Sequence, residues 1–187
     1  MKIILAQGNP ETKFDDTRHN VGFAAIDYFA KEKGAQFQPK PKFDALITEL
    51  SINDEKILLV KPTTYYNETG RTARALIDFY KLEMLNVLVI HDELALPFGT
   101  LRTREKGSDA GNNGIKSLNA HIGENYARIR VGTWNEIADK QDAFDFVLSK
   151  FNNEEREKLQ KDIFPKISEL INEFIVGEHT SSSHKLV

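Results

Sequence analysis

The sequence predicts an α/β protein: a single domain with a mixed, twisted β-sheet and helices on both faces. Three observations lead to this prediction. Strand-like and helix-like segments alternate along the chain, which is typical of layered α/β domains. Residues 86–92 (NVLVIHD) are nearly all apolar, as in a central strand covered on both faces. A hairpin pattern around Asn53-Asp54-Glu55 adds antiparallel pairing, which makes the sheet mixed.

The individual elements have recognisable ends. Residues 2–7 (KIILAQ) read as a short buried strand that stops at the turn signal Gly8-Asn9-Pro10. Residues 21–34 have apolar side chains at helical spacing and stop at Gly34. The other predicted elements are the two hairpin strands, a helix, the central strand, a further strand and a long amphipathic helix: 45–52, 56–60, 69–82, 86–92, 126–132 and 153–176. Pro165 is expected to kink the last helix.

Length and composition favour one globular domain, which we assign to residues 1–179, followed by a flexible tail at 180–187. The chain has no cysteine, so it has neither a disulfide framework nor a thiolate site, and a cytoplasmic location is expected. No apolar run reaches the ~18 residues that a membrane span needs. The five histidines show no ligand-like pairing, so no metal site is predicted. The net charge of −3 means that any nucleic-acid contact needs a local basic patch.

Polar side chains stand at the ends of three predicted strands. Asn9 follows the first strand, Asp92 ends the most hydrophobic strand, and Asn67 lies in the loop before the helix at 69–82. In open α/β sheets, ligands bind beyond the carboxyl ends of the strands. We therefore expect these side chains to meet in a cleft at one edge of the sheet.

His19 is the first candidate for catalysis. It lies in DDTRHNVGF (15–23), between a turn-rich loop and a helix start. A histidine titrates near neutrality and can take a proton from water, provided that an acceptor such as Asp92 holds its other nitrogen. Taken alone, however, a loop histidine is more often a surface or capping residue, and an aspartate after a strand often serves only in a turn. The local sequence leaves both readings open.

Asparagines and a glycine-rich segment form a second group of candidates. Loop asparagines usually make Asx-turns, but an amide can also hold a peptide bond or stabilise an oxyanion. Residues 105–117 match neither a P-loop nor a dinucleotide fingerprint, although they could form a gate over a cleft. The basic residues around this segment belong either to solvated strand faces or to a phosphate-binding rim: Arg102, Arg104, Lys106, Lys116, Arg128 and Arg130.

Four segments carry a family resemblance: GNPETKFDDTRHNVGF (8–23), KPTTYYNETG (61–70), HDELALPFGTLR (91–102) and GSDAGNNGIKSL (107–118). Together with FDFVLSKF (144–151), they resemble the bacterial peptidyl-tRNA hydrolase family in content and order. The resemblance extends from Ile3 to about Phe151. It implies hydrolysis of the ester between a peptide and the 3′ ribose of tRNA, without a metal or organic cofactor.

The resemblance also assigns roles to individual positions. His19 matches the catalytic histidine, Asp92 the carboxylate that keeps it basic, and Asn9 the residue that separates N-blocked from free aminoacyl esters. Asn67 and Asn113 match the asparagines that hold the peptide and the attacking water. Further matches are two aromatic substrate-binding positions and three basic positions near the tRNA end: Phe14, Tyr65, Arg102, Arg104 and Arg130. The implied partner is the acceptor stem and 3′ end of peptidyl-tRNA, bound by a monomer, with no membrane partner.

Several positions depart from the family pattern. Glu11 stands where glycine is common, and Phe14 lacks the hydroxyl of the usual tyrosine. Tyr66 replaces the usual methionine, and Asn112 replaces the histidine of Gly-His-Asn-Gly. Residues 133–139 (TWNEIAD) also lack the family's glycine-rich run. Two other functions stay open at this point: a non-catalytic RNA-binding relative, for which the altered GNNG gate is the only support, and an esterase for small acyl substrates.

Overall fold

The computed structural model describes residues 1–187 and is built on one eight-stranded sheet. The strands are β1 (Lys2–Ala6), β2 (Gln38–Lys40), β3 (Ala45–Ile52), β4 (Glu55–Pro62), β5 (Val87–Pro97), β6 (Thr100–Arg104), β7 (Ala127–Trp134) and β8 (Ser183–Lys185). Their order across the sheet is β2-β3-β4-β1-β5-β7-β6-β8. The four central strands, β4, β1, β5 and β7, run parallel, whereas both edges are antiparallel.

Helices cover both faces of the sheet. They are α1 (Val21–Glu32), α2 (Thr69–Tyr80), α3 (Asn113–Ile122), α4 (Ala143–Leu148), α5 (Asn153–Lys158) and α6 (Phe164–Val176). One apolar core joins α1 and α6 to the even-numbered residues of β5, and a second joins α2 and α3 to its odd-numbered residues Val87 and Val89. The predicted mixed α/β sheet with helices on both faces is therefore confirmed. None of these helices combines the length and apolarity needed to cross a bilayer.

The predicted hairpin is confirmed in its details. β3 and β4 pair antiparallel over their whole length, from Ala45 opposite Pro62 to Ile52 opposite Glu55. The two turn residues, Asn53 and Asp54, have φ angles of 50° and 61°. Asparagine and aspartate tolerate this left-handed region better than most residues, and it suits the twist of a tight hairpin.

The long C-terminal helix is continuous but not uniform. A π-helical segment, Leu159–Ile163, lies between α5 and α6, and Pro165 stands in the first turn of α6. Proline has no N–H to donate, so a regular α-helix loses a hydrogen bond there. The wider π turn just before Pro165 is the local irregularity that accompanies this loss.

Part of the segment expected to be a flexible tail, 180–187, lies in the sheet. β8 pairs antiparallel with β6, and Leu186 N–H donates to the Gly99 carbonyl at 2.9 Å. The buried Thr103 hydroxyl also donates to the Thr180 carbonyl. Because β6 would otherwise be an open edge, its free backbone groups recruit this polar segment into the sheet. The single domain therefore continues through these residues rather than stopping at 179.

The topology brings the predicted site residues to one edge of the sheet. β1, β4 and β5 are parallel neighbours, so their carboxyl ends point the same way. The chain continues from β1 to Asn9 and from β4 to Tyr65–Asn67. Asp92 was expected to end its strand, but β5 runs on to Pro97, so Asp92 lies within the strand, paired with Val131 of β7. The cleft expected from the positions of these residues lies here.

Candidate active site

One cavity of about 660 Å³ opens at this edge of the sheet. It is lined by all seven residues to which the sequence assigned catalysis or substrate binding: Asn9, Phe14, His19, Tyr65, Asn67, Asp92 and Asn113. Residues from four separate parts of the chain thus contribute to one site.

His19 and Asp92 form a hydrogen-bonded pair. His19 Nδ1 lies 2.9 Å from Asp92 Oδ2, the carboxylate is buried, and the imidazole is partly exposed to the cavity. A carboxylate accepts but does not donate, so Nδ1 carries the proton and Nε2 carries a lone pair. Nε2 has no protein partner. The pair therefore presents a basic nitrogen to whatever occupies the cavity.

Asp92 stays ionised in spite of its position. Burial opposes its charge, but His19 and the hydrogen bonds that His19 and Tyr66 donate outweigh burial, so the pKa of Asp92 lies below its ordinary value. Tyr66 donates its hydroxyl to Oδ1, the carboxylate oxygen that His19 leaves free. Both oxygens of the carboxylate therefore have a donor.

Asn9 is held rigidly by its neighbours. Its side-chain Oδ1 accepts from Tyr66 N–H at 2.9 Å. Its backbone N–H donates to Asn20 Oδ1 at 2.8 Å, and Asn20 Nδ2 returns a bond to the Asn9 carbonyl at 2.9 Å. These contacts define the orientation of the amide, with Nδ2 as the remaining donor. Asn9 can thus recognise an acceptor in a bound substrate without adding charge to the site.

Asn67 and Asn113 differ from Asn9 in that their side chains have no partner within the protein. Both are exposed, both line the cavity, and neither side chain makes a hydrogen bond within the protein. Asn113 begins α3, whereas its neighbour Asn112 caps that helix by accepting from Ile115 N–H at 3.1 Å. Both adjacent asparagines line the cavity, but the Asn112 side chain is bound within the protein, whereas that of Asn113 is not.

An apolar wall of the cavity comes from a helix to which the sequence assigned no role. α4 contributes Phe144, Val147 and Leu148, and Phe144 is 69% exposed. The segment 144–151 contributed to the family resemblance, but its short length hid both the helix and its position at the site. The cavity thus pairs a polar side, suited to an ester and a peptide bond, with an apolar side.

The predicted basic residues lie outside the cavity, on β6 and β7. Arg102 stands directly opposite Arg130, and Arg130 is bound to the buried Glu93 at 2.8 Å. Partial burial, together with the positive charges of Arg102 and Arg130, lowers the pKa of Arg104. Arg102 and Arg104, in contrast to Arg130, have no carboxylate partner. No group of three or more acidic or histidine side chains is arranged to hold a metal ion.

Comparison with known proteins identifies the family. A family model described as peptidyl-tRNA hydrolase matches residues 3–186. The chain belongs to the peptidyl-tRNA hydrolase family. Similar relatives include a peptidyl-tRNA hydrolase of Ligilactobacillus salivarius, 48% identical over 160 residues and covering 85% of each chain. Another, from Fusobacterium nucleatum, is 40% identical over 176 residues, which is 94% of this chain and 90% of that protein.

The fold is also that of the peptidyl-tRNA hydrolase family. The crystal structure of peptidyl-tRNA hydrolase from Acinetobacter baumannii superposes with a TM-score of 0.85 at 26% identity, covering 95% of this chain and 90% of that one. The match to the family model runs through the C-terminal helix and β8, well beyond the segments that carried the resemblance in the sequence. The family resemblance inferred from the motifs is therefore confirmed.

Proposed function

We propose that this protein hydrolyses the ester bond between a peptide and the 3′ ribose of tRNA, with water as the nucleophile and His19 as the general base. The observation that carries the proposal is the His19–Asp92 pair, whose free Nε2 faces a cavity lined by four asparagines. The chain is a member of a family named for this activity. The natural role of such an enzyme is to recycle tRNA from peptidyl-tRNA released by stalled ribosomes.

The residues present are sufficient for direct attack by water. Nε2 of His19 takes a proton as the water oxygen bonds to the ester carbonyl carbon, and ionised Asp92 stabilises the resulting imidazolium. The imidazolium then returns the proton to the departing 3′ ribose oxygen. The side-chain amides of Asn67 and Asn113 are the candidate groups that hold the water and the peptide. The cavity lining contains no serine, threonine or cysteine, so no acyl-enzyme is expected.

Substrate selection falls to three other features. The amide of Asn9 is placed to recognise the peptide bond that an N-blocked ester has and a free aminoacyl ester lacks. Phe14, Tyr65 and the α4 wall offer apolar surface to peptide side chains. Arg102 and Arg104 supply positive charge for phosphates near the tRNA end. Arg130 contributes less, because it is paired with Glu93.

The decisive experiment compares wild type with His19→Ala on N-acylaminoacyl-tRNA. We expect kcat to fall about 10²–10⁴-fold, because general base catalysis contributes that much. The matched control is His121→Ala, which removes an exposed histidine on α3 and should leave turnover unchanged. Free aminoacyl-tRNA should be a poor substrate for wild type. Normal turnover by folded His19→Ala would refute the assignment of the base, and equal cleavage of a tRNA-free ester would favour a general esterase.

We further propose that the protein acts as a cytoplasmic monomer. All residues of the proposed site come from one chain, so no second copy is needed to complete it. The absence of cysteine is also compatible with a reducing compartment. Sedimentation at assay concentrations checks the first point: a dimer that dissociates with loss of activity would contradict it.

A further inference from the structure

Tyr66 contacts three other residues of the site. Its ring stacks on His19 with centroids 3.5 Å apart and planes within 16° of parallel. Its hydroxyl donates to Asp92 Oδ1, and its backbone N–H holds the Asn9 side chain at 2.9 Å. A single side chain thus touches both members of the general-base pair, while its backbone orients a third residue of the site.

The position of this ring is determined from both sides. His19 stacks on one face of the ring. The α3 backbone also approaches the ring closely at Gly114, where an added Cβ would lie 2.3 Å from Tyr66 Cε1. Only glycine leaves room for the ring at that point, since real Cβ atoms do not approach so closely. Tyr66 is fully buried, so the ring has no alternative orientation in solvent.

Asn112 completes the arrangement. Its Nδ2 donates to the Tyr66 hydroxyl at 3.1 Å and lies 3.3 Å from the Asp92 carbonyl. Burial and the charge of Asp92 raise the pKa of Tyr66 well above its ordinary value, so the hydroxyl keeps its proton and points it at the carboxylate. The bonds therefore form a directed chain, from Asn112 to Tyr66 to Asp92. Tyr66 and Asn112 are also two of the positions at which this chain departs from the family pattern.

We infer that Tyr66 is a positioning residue for the His19–Asp92 pair: supported by Asn112, its hydroxyl shares the charge of Asp92 and so sets how strongly the carboxylate attracts the proton on His19. The inference rests on the proposed function, because it matters only if His19 acts as a base. A donor on Oδ1 withdraws charge from the carboxylate and weakens its pull on the imidazolium. Removing that donor should therefore strengthen the hold of Asp92 on the proton that His19 takes up.

Two other titratable groups, His91 and Glu93, lie next to Asp92, and neither bonds to its carboxylate. His91 donates from Nδ1 to the Asp92 carbonyl at 2.7 Å, and burial keeps its ring neutral. Glu93, the next residue on β5, is paired with Arg130 of β7. No other charged side chain bonds to the carboxylate, so Tyr66 and His19 are its two direct partners.

The test is the pH profile of kcat/KM for Tyr66→Phe, which removes the hydroxyl and keeps the stacked ring. We expect the acid limb to move up by about half a pH unit, which lowers kcat/KM about threefold on the acid side. The plateau at higher pH should stay within about twofold, since the base itself is intact. Tyr28→Phe is the matched control: it removes a hydroxyl on α1, far from the site, and should leave the profile unchanged.

Asn112→Ser gives an independent measurement, because serine keeps the helix cap but loses the amide donor. Asn112→Ser should shift the acid limb of the kcat/KM profile in the same direction as Tyr66→Phe, by a smaller amount. In the double variant with Tyr66→Phe it should cause no further shift. An unmoved limb in Tyr66→Phe, or equal losses at every pH, would overturn the inference. The proposed function is tested separately: it would be refuted if His19→Ala kept normal turnover.

Discussion

Arg18, the residue before His19, is a buried cation that links the loop carrying His19 to Glu155 of α5. Its Nη2 donates to both carboxylate oxygens of Glu155 at 2.8–2.9 Å, and Nη1 donates to the Thr133 carbonyl. The guanidinium carbon also lies 4.6 Å from the Phe146 ring centroid, on α4. Because His19 follows directly, this ion pair helps to fix where the imidazole stands.

Glu155→Gln should therefore destabilise the protein strongly. The substitution keeps the size of the side chain but leaves Arg18 charged and buried without a counter-charge, which costs about 3–5 kcal/mol. Urea unfolding measures the loss. Glu154→Gln is the matched control: it breaks an exposed pair with Lys158 and should cost under about 1 kcal/mol. Similar losses for the two variants would show that the buried pair is not special.

At the scale of elements, β8 closes one edge of the sheet next to the basic surface. Arg102 of β6 pairs with Ser183 of β8 on one side and with Arg130 of β7 on the other. Thr103, between Arg102 and Arg104, is buried and uses its hydroxyl to hold the segment leading into β8. The strand that carries the two unpaired arginines is thus kept inside the sheet by a segment far away in sequence.

Thr103→Val should loosen this edge. It leaves the Thr180 carbonyl and the Ser182 N–H without their partner, which costs about 1–3 kcal/mol. Hydrogen exchange at Leu186 should accelerate with it. Thr133→Val is the matched control, because the Thr133 hydroxyl is buried without a partner and its loss should be neutral or slightly stabilising. An unchanged exchange rate in Thr103→Val would contradict the proposed role of the hydroxyl.

At the scale of the whole molecule, the sheet buries a titratable group beneath the site. His91 is almost fully buried on the β5 face that carries Val87 and Val89, opposite Asp92. Burial lowers its pKa to about 4, from an ordinary value of 6.5. The folded state therefore holds neutral His91, and the unfolded chain binds a proton more readily. The contribution of neutral His91 to the free energy of unfolding is fully present above pH 6.5 and is lost as the pH falls towards 4.

Between pH 7.5 and pH 5, this linkage should remove about 2 kcal/mol from the free energy of unfolding. The same measurement on His91→Gln should give a flatter dependence on pH, even if that variant is less stable at pH 7.5. His121→Gln, which changes an exposed histidine, should keep the slope of the wild type. A slope that His91→Gln leaves unchanged would place the acid sensitivity elsewhere.

The sequence by itself determined the fold class and the membership of the site. Alternating strand and helix patterns, together with the apolar run at 86–92, specify a mixed sheet covered on both faces, because each element has to bury its apolar side chains. Side chains that follow parallel neighbouring strands must share an edge. For that reason Asn9, Asp92 and Asn67 could be placed in one cleft before any coordinates, whereas His19 and Asn113 were assigned to it by the family resemblance. β6 and α4 were too short to carry a clear pattern.

Only the tertiary structure decided which side chains act on which. Tyr66 bonds to Asp92, Arg18 to Glu155 and Thr103 to Thr180, and each contact joins residues that are distant in the sequence. No local pattern encodes such pairs, because they depend on how the elements pack and on what burial leaves unsatisfied. The same reason explains β8, whose polar composition indicates a loose tail until the open edge of β6 gives it a partner.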